Sequence, residues 1–383
     1  MKGTGAIAAV ILAAGQSSRM EDFKPLLPLG NECAIERVIH AFRDVGITDL
    51  IVVTGHRGDE IHRVLGPLKV CCVDNKNYRE GMFSSVRTGI RALPASCRAF
   101  FIHPADIPLV RPHTIRRLVD AFRASRPAVL YPVFDGRRGH PTLIQYDLLP
   151  GILSWKETGG LRAFLQKQAA DSRECPVADE AVLMDMDTPA DYRRLQARSA
   201  RDDLPSAVES RALMESIQML PPAVQAHCRA VAAIARRLAE ALNAAGVSID
   251  AELTEAAALL HDIARTQPDH ARAGARLLET HGFPRLAPLV ADHMDLEVDG
   301  EALLDEAQIV FLADKLAAGD RLVDLEERFG RKLAKYGHDP NVAAAIARRR
   351  DNARRVQAKV EAATGRALMT ISGEIGNHGE MER

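Results

Sequence analysis

Ala8-Ala9-Val10-Ile11-Leu12-Ala13-Ala14-Gly15-Gln16-Ser17-Ser18-Arg19-Met20 is the stretch that decides the fold of the first half of this chain. A short apolar run with a β-branched centre, Val10-Ile11, passes straight into a small, polar loop. That is the pattern of a buried strand ending at a phosphate-binding turn. Lys2 ahead of Ala6–Ala14 imitates a secretory signal, but the run is short and Gly15–Arg19 offers no hydrophobic continuation.

Moving outward, the same alternation repeats. A helix is expected near Glu32–Val45, a strand at Leu50–Val53, a helix at Asp59–Leu65 and a strand at Lys69–Val73. A helix near Phe83–Leu93, a strand at Ala99–Ile102, a helix near Pro112–Arg123 and a strand at Ala128–Tyr131 follow. This βαβα rhythm predicts an α/β domain: a mostly parallel, Rossmann-like sheet with helices on both faces and ligands at the carboxyl ends of its strands. From about Pro205 the strand signals fade. Ala, Leu, Arg and Glu recur at helical spacing, which predicts an all-α second domain. The expected division is residues 1–197, a charged linker at 198–206 rich in Arg and Asp, a helical domain at 207–370, and a frayed tail at 371–383.

Composition limits function. The 383 residues are 47% hydrophobic and 26% charged, enough to build cores, and at about 150 residues per domain one core is too few. Lys plus Arg (50) and Asp plus Glu (51) cancel, so no overall basic field exists to hold a nucleic acid, and phosphate binding must be local. No apolar stretch is long enough to span a membrane. Scattered cysteines at 33, 71, 72, 97, 175 and 228, with no C-x-x-C, suit a reducing cytoplasm.

The loop after the first strand is the first candidate site. Backbone N–H groups of Leu12, Ala13, Ala14 and Gly15 can cradle a triphosphate, and Arg19 and Lys24 add cations for the β- and γ-phosphates. An ordinary strand-to-helix turn with two solvated cations would look similar, and a P-loop pattern is absent. A second feature is Phe100-Phe101-Ile102-His103-Pro104-Ala105-Asp106, an apolar strand that ends in a carboxylate at the ligand edge. Acids recur at Asp185 and Asp187 after another apolar stretch, and Asp106 with Asp187 would suit Mg²⁺. Asp187-Thr188-Pro189 also reads as a helix N-cap with Pro at N1.

These residues resemble the nucleotidyltransferases of the molybdenum cofactor, above all the cytidylyltransferases. The resemblance covers about residues 6–195. It rests on the ordered set Leu12–Lys24, Val52-Val53-Thr54-Gly55, Glu80–Ser85, Pro104–Pro108, Gly136–Pro141 and Asp185–Tyr192. It implies attack of a pterin phosphate oxygen on the α-phosphate of CTP, with Mg²⁺-assisted loss of pyrophosphate. Arg19, Lys24, Asp106 and Asp187 would then be catalytic, with Asp106 and Asp187 on the metal. Thr54, Gly55, Gly81, Ser84 and Ser85 would border the nucleotide and acceptor. Gly139, His140 and Pro141 would form part of the acceptor pocket, although His140 also reads as a turn residue. Two departures stand out: Glu21 replaces the Gly common after Arg-Met, and Glu157–Arg162 lacks a carboxylate usual on the acceptor side. Other readings remain: another NTP, another phosphomonoester such as a sugar phosphate, or a carrier that delivers the cofactor to a molybdoenzyme client.

In the second half the apolar helix Ala256–Leu260 runs into His261-Asp262, and His227 lies upstream on a predicted helix, Val224–Leu242. His270 and His293 follow. Asp314 stands inside an apolar helix, where a buried acid must be paired or metal-bound. The ordered set resembles the HD-domain phosphohydrolases over about 205–335. By that pattern His227, His261, Asp262 and Asp314 would hold one metal, and His270 and His293 would complete a second site bridged by Asp262. Mixed imidazole and carboxylate ligands suit Mn²⁺, Fe or Zn²⁺. Arg265 and Met294 depart from the residues common beside these ligands. His281 is expected to be an exposed helix-end residue, and a purely regulatory helical domain is the alternative to a catalytic one.

Overall fold

The computed structural model describes residues 6–16, 20, 22–298 and 303–373. The chain divides between Asp202 and Asp203 into two compact units.

In the first unit β1 (Ala6–Leu12) is followed by the small antiparallel pair β2 (Pro28–Leu29) and β3 (Glu32–Cys33), α1 (Ala34–Arg43) and β4 (Leu50–Thr54). Then come α2 (Gly58–Leu65), β5 (Cys71–Asp74), α3 (Met82–Arg91), β6 (Cys97–Pro104) and α4 (Pro112–Ser125). The rhythm read from the sequence is present, with boundaries shifted by a few residues, through β7 (Val129–Phe134). Beyond it the chain adds β8 (Arg137–Arg138), β9 (Thr142–Gln145), α5 (Leu149–Ser154), α6 (Gly160–Gln166), β10 (Ser172–Pro176) and α7 (Pro189–Ser199). Strands β8 to β10 lie outside the pattern expected from the sequence. The main sheet has the order β10-β7-β9-β6-β1-β4-β5, with β8 paired to β7. It is parallel except that β9 lies antiparallel to both β6 and β7, and β8 antiparallel to β7.

β1 sits between β4 and β6, so it must be apolar on both faces, and Ala8 to Ile11 are wholly buried. Its register pairs Leu12 with Val53 and with Pro104, which brings the carboxyl ends of three strands to one edge. Helix α3 lies directly on this sheet. A Cβ on Gly89 would fall 2.3 Å from Val10 Cγ1, so only glycine permits the approach that fixes the Gly81–Ser85 turn near that edge.

The second unit is helical, as expected, save for one short hairpin. Its elements are α8 (Ala207–Ala212), α9 (Pro222–Ala244), α10 (Ala251–Leu260), α11 (His270–Thr280), α12 (Leu286–Asp292) and α13 (Glu306–Lys315). The hairpin β11 (Ala317–Ala318) with β12 (Arg321–Leu322) precedes α14 (Leu325–Tyr336), α15 (Pro340–Thr364) and α16 (Leu368–Ser372). Helices α10, α13 and α15 pack on α9, whose Val231, Ile234, Leu238 and Leu242 are completely buried. The expected linker is shorter than 198–206: α7 extends to Ser199, Leu204 is buried, and Ser206 caps α8 in a box with Glu209. Of the expected tail, Ile371 and Ser372 are buried in α16, and residues 374–383 lie outside the described residues. No helix among the described residues is long and apolar enough to cross a membrane.

Candidate functional sites

At the sheet edge, Lys24 meets both carboxylates. Its Nζ donates to Asp187 Oδ1 at 2.7 Å and lies 3.8 Å from Asp106 Oδ2. Asp106 is placed by two backbone bonds beside it: Ala105 N–H donates to the Leu12 carbonyl, and Met186 N–H donates to the Asp106 carbonyl. Burial pushes the Asp106 carboxyl above its usual range. Lys24 opposes this, while Asp187 and Asp185 add to it. Such like-charge crowding favours a shared cation. Helix α7 resolves the double reading of Asp187-Thr188-Pro189. Thr188 is the N-cap, its Oγ1 accepting from Asp191 N–H, and Pro189 opens the helix, which leaves the Asp187 carboxylate to Lys24.

The loop ahead of Asp187 has its own anchor, which the sequence did not reveal. Asp179, only 2% exposed, accepts from Arg111 N–H at 2.9 Å, Arg111 Nη1 at 3.1 Å, Thr114 Oγ1 at 2.7 Å and Ala181 N–H at 3.2 Å. Four donors on one buried carboxylate make a rigid mount.

Ala13 N–H donates to the Val53 carbonyl and His56 N–H to that of Ala14, so the loop through Gly15 is tied to the end of β4. Arg19 lies outside the described residues. Thr54 is fully buried and its hydroxyl bonds to Asp74 and lies 3.2 Å from His62 Nε2, so it faces the interior beside Gly55. Ser84 and Ser85 are likewise engaged: buried Asn75, absent from the sequence reading, donates from Nδ2 to both hydroxyls. Ser84 Oγ also donates to the Gly81 carbonyl. These groups shape the turn.

Leu12, Pro104, Gly139 and His140 line a cavity of about 650 Å³. Its other walls include Phe83, Tyr131, Arg138 and Gly160–Arg162, none of which the sequence singled out as a site residue. Arg138 lies over the Tyr131 ring at 4.5 Å and pairs with Glu174 at 2.7 Å. His140 N–H donates to the Val182 carbonyl, and a Cβ on Gly139 would come within 2.4 Å of that same oxygen. Burial depresses the basicity of His140 and takes neighbouring His103 down to about 3, so both are neutral at pH 7. Pro141 follows His140 through a cis bond and is buried, outside the cavity lining.

The second unit gathers all six of its expected ligands. Two clusters, His227 with His261 and Asp262, and Asp262 with His270 and His293, each place their ligand atoms within 4.8 Å of one another. Asp262 belongs to both. His261 Nε2 stands 3.6 Å from Asp262 Oδ2 and 3.8 Å from Asp314 Oδ1, and His227 Nε2 3.2 Å from Asp314 Oδ1. His270 and His293 approach Asp262 Oδ1 at 3.1 and 3.7 Å.

The ring orientations follow from backbone carbonyls. Nδ1 of His261 pairs with Ala258 O at 2.7 Å, Nδ1 of His293 with Val290 O at 2.6 Å, and Nδ1 of His227 with Gly319 O at 3.0 Å. With the proton on Nδ1, the Nε2 lone pairs of His261 and His293 face the cluster, while His227 Nε2 lies against Asp314 Oδ1. His261 Nε2, His293 Nε2 and Asp262 Oδ1 are buried without a hydrogen-bond partner. Such orphaned acceptors fit a resident divalent cation. The hairpin that the sequence did not announce has a function here, because its turn supplies Gly319.

Electrostatics agree. Burial would raise Asp314, but Lys315 and His227 hold it well below the ordinary range. Burial would raise Asp262 too, and His270 and His293 hold it low. His261 is taken down to about 4, first by burial and then by His293, so its lone pair is free. Burial would lower His227, yet its bond to Asp314 raises it. Lys315, only 2% exposed, donates to Asp314 Oδ2 at 2.6 Å and to the His293 carbonyl at 2.9 Å. His281 corrects the expectation of exposure. It is buried, with Nδ1 against the Leu277 carbonyl at 2.8 Å, because α11 ends against its own domain's core.

Residues 9–173 match the profile of the MobA-like NTP transferase domain, and residues 224–319 that of the HD domain. The chain therefore joins these two domains. It is 26% identical over 188 residues to the molybdenum cofactor cytidylyltransferase of Escherichia coli, covering 49% of this chain and 94% of that protein. It is 30% identical over 149 residues to the bifunctional protein GlmU of Corynebacterium aurimucosum, covering 37% of this chain but 31% of that one. Among solved structures, a nucleotidyl transferase from Methanothermobacter aligns with 52% of this chain and all of its own, at 26% identity and a TM-score of 0.46.

Proposed function

We propose, for a chain that joins a nucleotidyltransferase to an HD-type phosphohydrolase domain, that the first transfers the cytidylyl group of CTP to the phosphate of a molybdopterin-type cofactor. The observation that carries this reading is the meeting of Lys24, Asp106 and Asp187 at the sheet edge, next to a cavity of about 650 Å³. The likeness to a molybdenum cofactor cytidylyltransferase supports the acceptor and the base.

Two carboxylates that already share one cation fit Mg²⁺, with Asp106 and Asp187 as its holders. When bound, Mg²⁺ would offset charge on the triphosphate and the departing pyrophosphate. The chain's own residues do the rest. Ala13 N–H is already spent on the Val53 carbonyl, so it is the backbone N–H groups of Ala14 and Gly15 that donate to phosphate oxygens, and Lys24, with Arg19, neutralises the β- and γ-phosphates. Gly55, Gly81, Ser84 and Ser85 shape the nucleotide's surroundings. The acceptor lies along Gly139 and His140, with Arg138 and Arg162 available for anionic groups. Neutral His140 leaves the pocket's charge to those arginines. Positioning and charge neutralisation suffice for an in-line transfer.

In the helical domain His227, His261, Asp262 and Asp314 would hold one divalent metal, Mn²⁺, Fe or Zn²⁺, and His270 and His293 with Asp262 a second. The metals would supply an activated water for phosphoester hydrolysis. The free cysteines support a cytoplasmic setting, and a molybdoenzyme is the natural client.

Incubation with Mg²⁺ and each of the four NTPs, with and without molybdenum cofactor, tests the transfer. Labelled cytidine in the cofactor fraction from CTP alone is expected. Equal transfer from every NTP, or none from any, would refute the assignment.

A further inference from the structure

The cavity at the HD cluster encloses about 280 Å³, less than half the volume found in the transferase domain and below the range usual for drug-sized ligands. Beside the metal-ligating side chains its lining carries three cations: Arg265, Arg328 and Lys332. Arg328 and Lys332 are four residues apart on α14 and so share a face, where like charges repel. Arg328 Nη2 lies 3.9 Å from Asp314 Oδ1, but its Nε is buried without a hydrogen-bond partner. Half-buried Lys332 makes no ion pair or hydrogen bond among the described residues. Exposed Arg265 has its Nε 3.7 Å from Asp262 Oδ2 and its Nη1 3.1 Å from His270 Nε2, with further N–H groups reaching beyond them. Asp314 is already bonded to Lys315, so the carboxylates present do not satisfy these cations.

Crowded, half-desolvated cations with an orphaned N–H call for an anion. Its charge must exceed that of the one phosphate addressed by the metal ligands, and the small volume suits a compact anion. We propose that Arg265, Arg328 and Lys332 form a second phosphate subsite, so that the helical domain takes inorganic pyrophosphate. Pyrophosphate is the leaving group of the transfer proposed for the first domain. The inference rests on the reading of the helical domain as a metal-dependent phosphohydrolase. In the reaction a water oxygen bonds to the phosphorus on the metal-ligand side, and the bond from that phosphorus to the bridging oxygen breaks. The electron pair stays on the bridging oxygen, within the phosphate held by the three cations. One water proton ends on each of the two orthophosphates. Removing pyrophosphate would pull the nucleotidyl transfer forward.

Full-length protein carrying Lys24→Met, which removes the cation of the first domain's site, is loaded with Mn²⁺, freed of excess metal, and titrated calorimetrically with methylenediphosphonate, a non-hydrolysable form of pyrophosphate, and with orthophosphate. The diphosphonate should bind at least ten-fold more tightly. Adding Arg328→Met and Lys332→Met should weaken it at least ten-fold, with Lys332→Arg restoring much of the loss. If the double variant fails to fold, Lys332→Met alone is read in the same way. Equal affinity for the two anions, or an unaltered affinity in a folded variant, would overturn the subsite. The wild-type chain with Mn²⁺ is then given pyrophosphate or p-nitrophenyl phosphate. Release of orthophosphate from pyrophosphate is expected. Hydrolysis of the nitrophenyl ester alone refutes this inference and leaves metal-dependent hydrolysis standing, whereas a Mn²⁺-loaded protein that cleaves neither refutes both.

Discussion

As proposed, the two candidate sites would solve one problem, bringing a cation to a phosphate, in different ways. At the transferase edge the candidate ligands are hard carboxylates, part-exposed, on two loops that Lys24 bridges. In the helical domain they are imidazoles and carboxylates on packed helices, with ring nitrogens fixed by backbone carbonyls and three acceptors left orphaned in the interior. The first arrangement suits a metal that arrives with its nucleotide, because part of the coordination comes from phosphate oxygens. The second suits a metal that stays, since an empty cluster would carry unpaired buried groups.

The largest effect that sharpens this contrast is expected from Asp106→Ala. Loss of a carboxylate needed only when the triphosphate is bound should lower nucleotidyl transfer by about 10²–10³-fold, the scale of losing one charge-stabilising group. Metal content of the helical domain should not change, as elemental analysis of the same preparation would show.

Next is Asp314→Ala, which strands Lys315 in the core and removes a partner of His227 and His261. Breaking a buried charge pair costs about 3–5 kcal/mol, so denaturant unfolding should show a large loss in the helical domain, together with loss of bound metal. An Asp314→Ala protein as stable as wild type would break the comparison.

Acid should act on both domains without metal. His103 is held at about 3 and His261 at about 4, against 6.5 in an unfolded chain. Between pH 6.5 and 4 the unfolded chain binds protons that the folded chain refuses, so stability falls as pH falls through that window. Asp262 and Asp314, held below 3.8, lose their contribution at still lower pH. His227, raised, has the opposite sign and contributes most below pH 6.5. Urea titrations at pH 7, 5.5 and 4.5 should show the decline, and His103→Gln should flatten it in the transferase domain alone.

The smallest effect is Thr188→Ala. Loss of the α7 cap should cost about 1 kcal/mol and loosen Asp187, raising the Mg²⁺ concentration needed for half-maximal transfer.

How much of this was legible depended on the kind of signal. β1 and its loop were readable because a central parallel strand must be apolar on both faces. The HD ligands were readable because an acid buried in an apolar helix, here Asp314, is tolerated only beside a cation, and His261-Asp262 ends a second apolar helix in the same way. Antiparallel β9 escaped, since a short strand inserted after the βα rhythm has no period of its own. Asp179 and Asn75 escaped because a buried acid or amide that pins a loop looks like a surface residue until its donors are in place. The hairpin at Ala317–Leu322 escaped for want of length, though its Gly319 carbonyl aims His227. His281 was misplaced because its sequence neighbours are polar while its helix end turns inward.

The central claim is that one site keeps its metal and the other borrows it. Metal retained after gel filtration, measured by elemental analysis on wild-type, Asp106→Ala and Asp262→Ala proteins, tests this most directly. Retained metal in wild type and in Asp106→Ala, and its loss in Asp262→Ala, is the result predicted. Metal lost with Asp106→Ala and kept by Asp262→Ala would contradict the account.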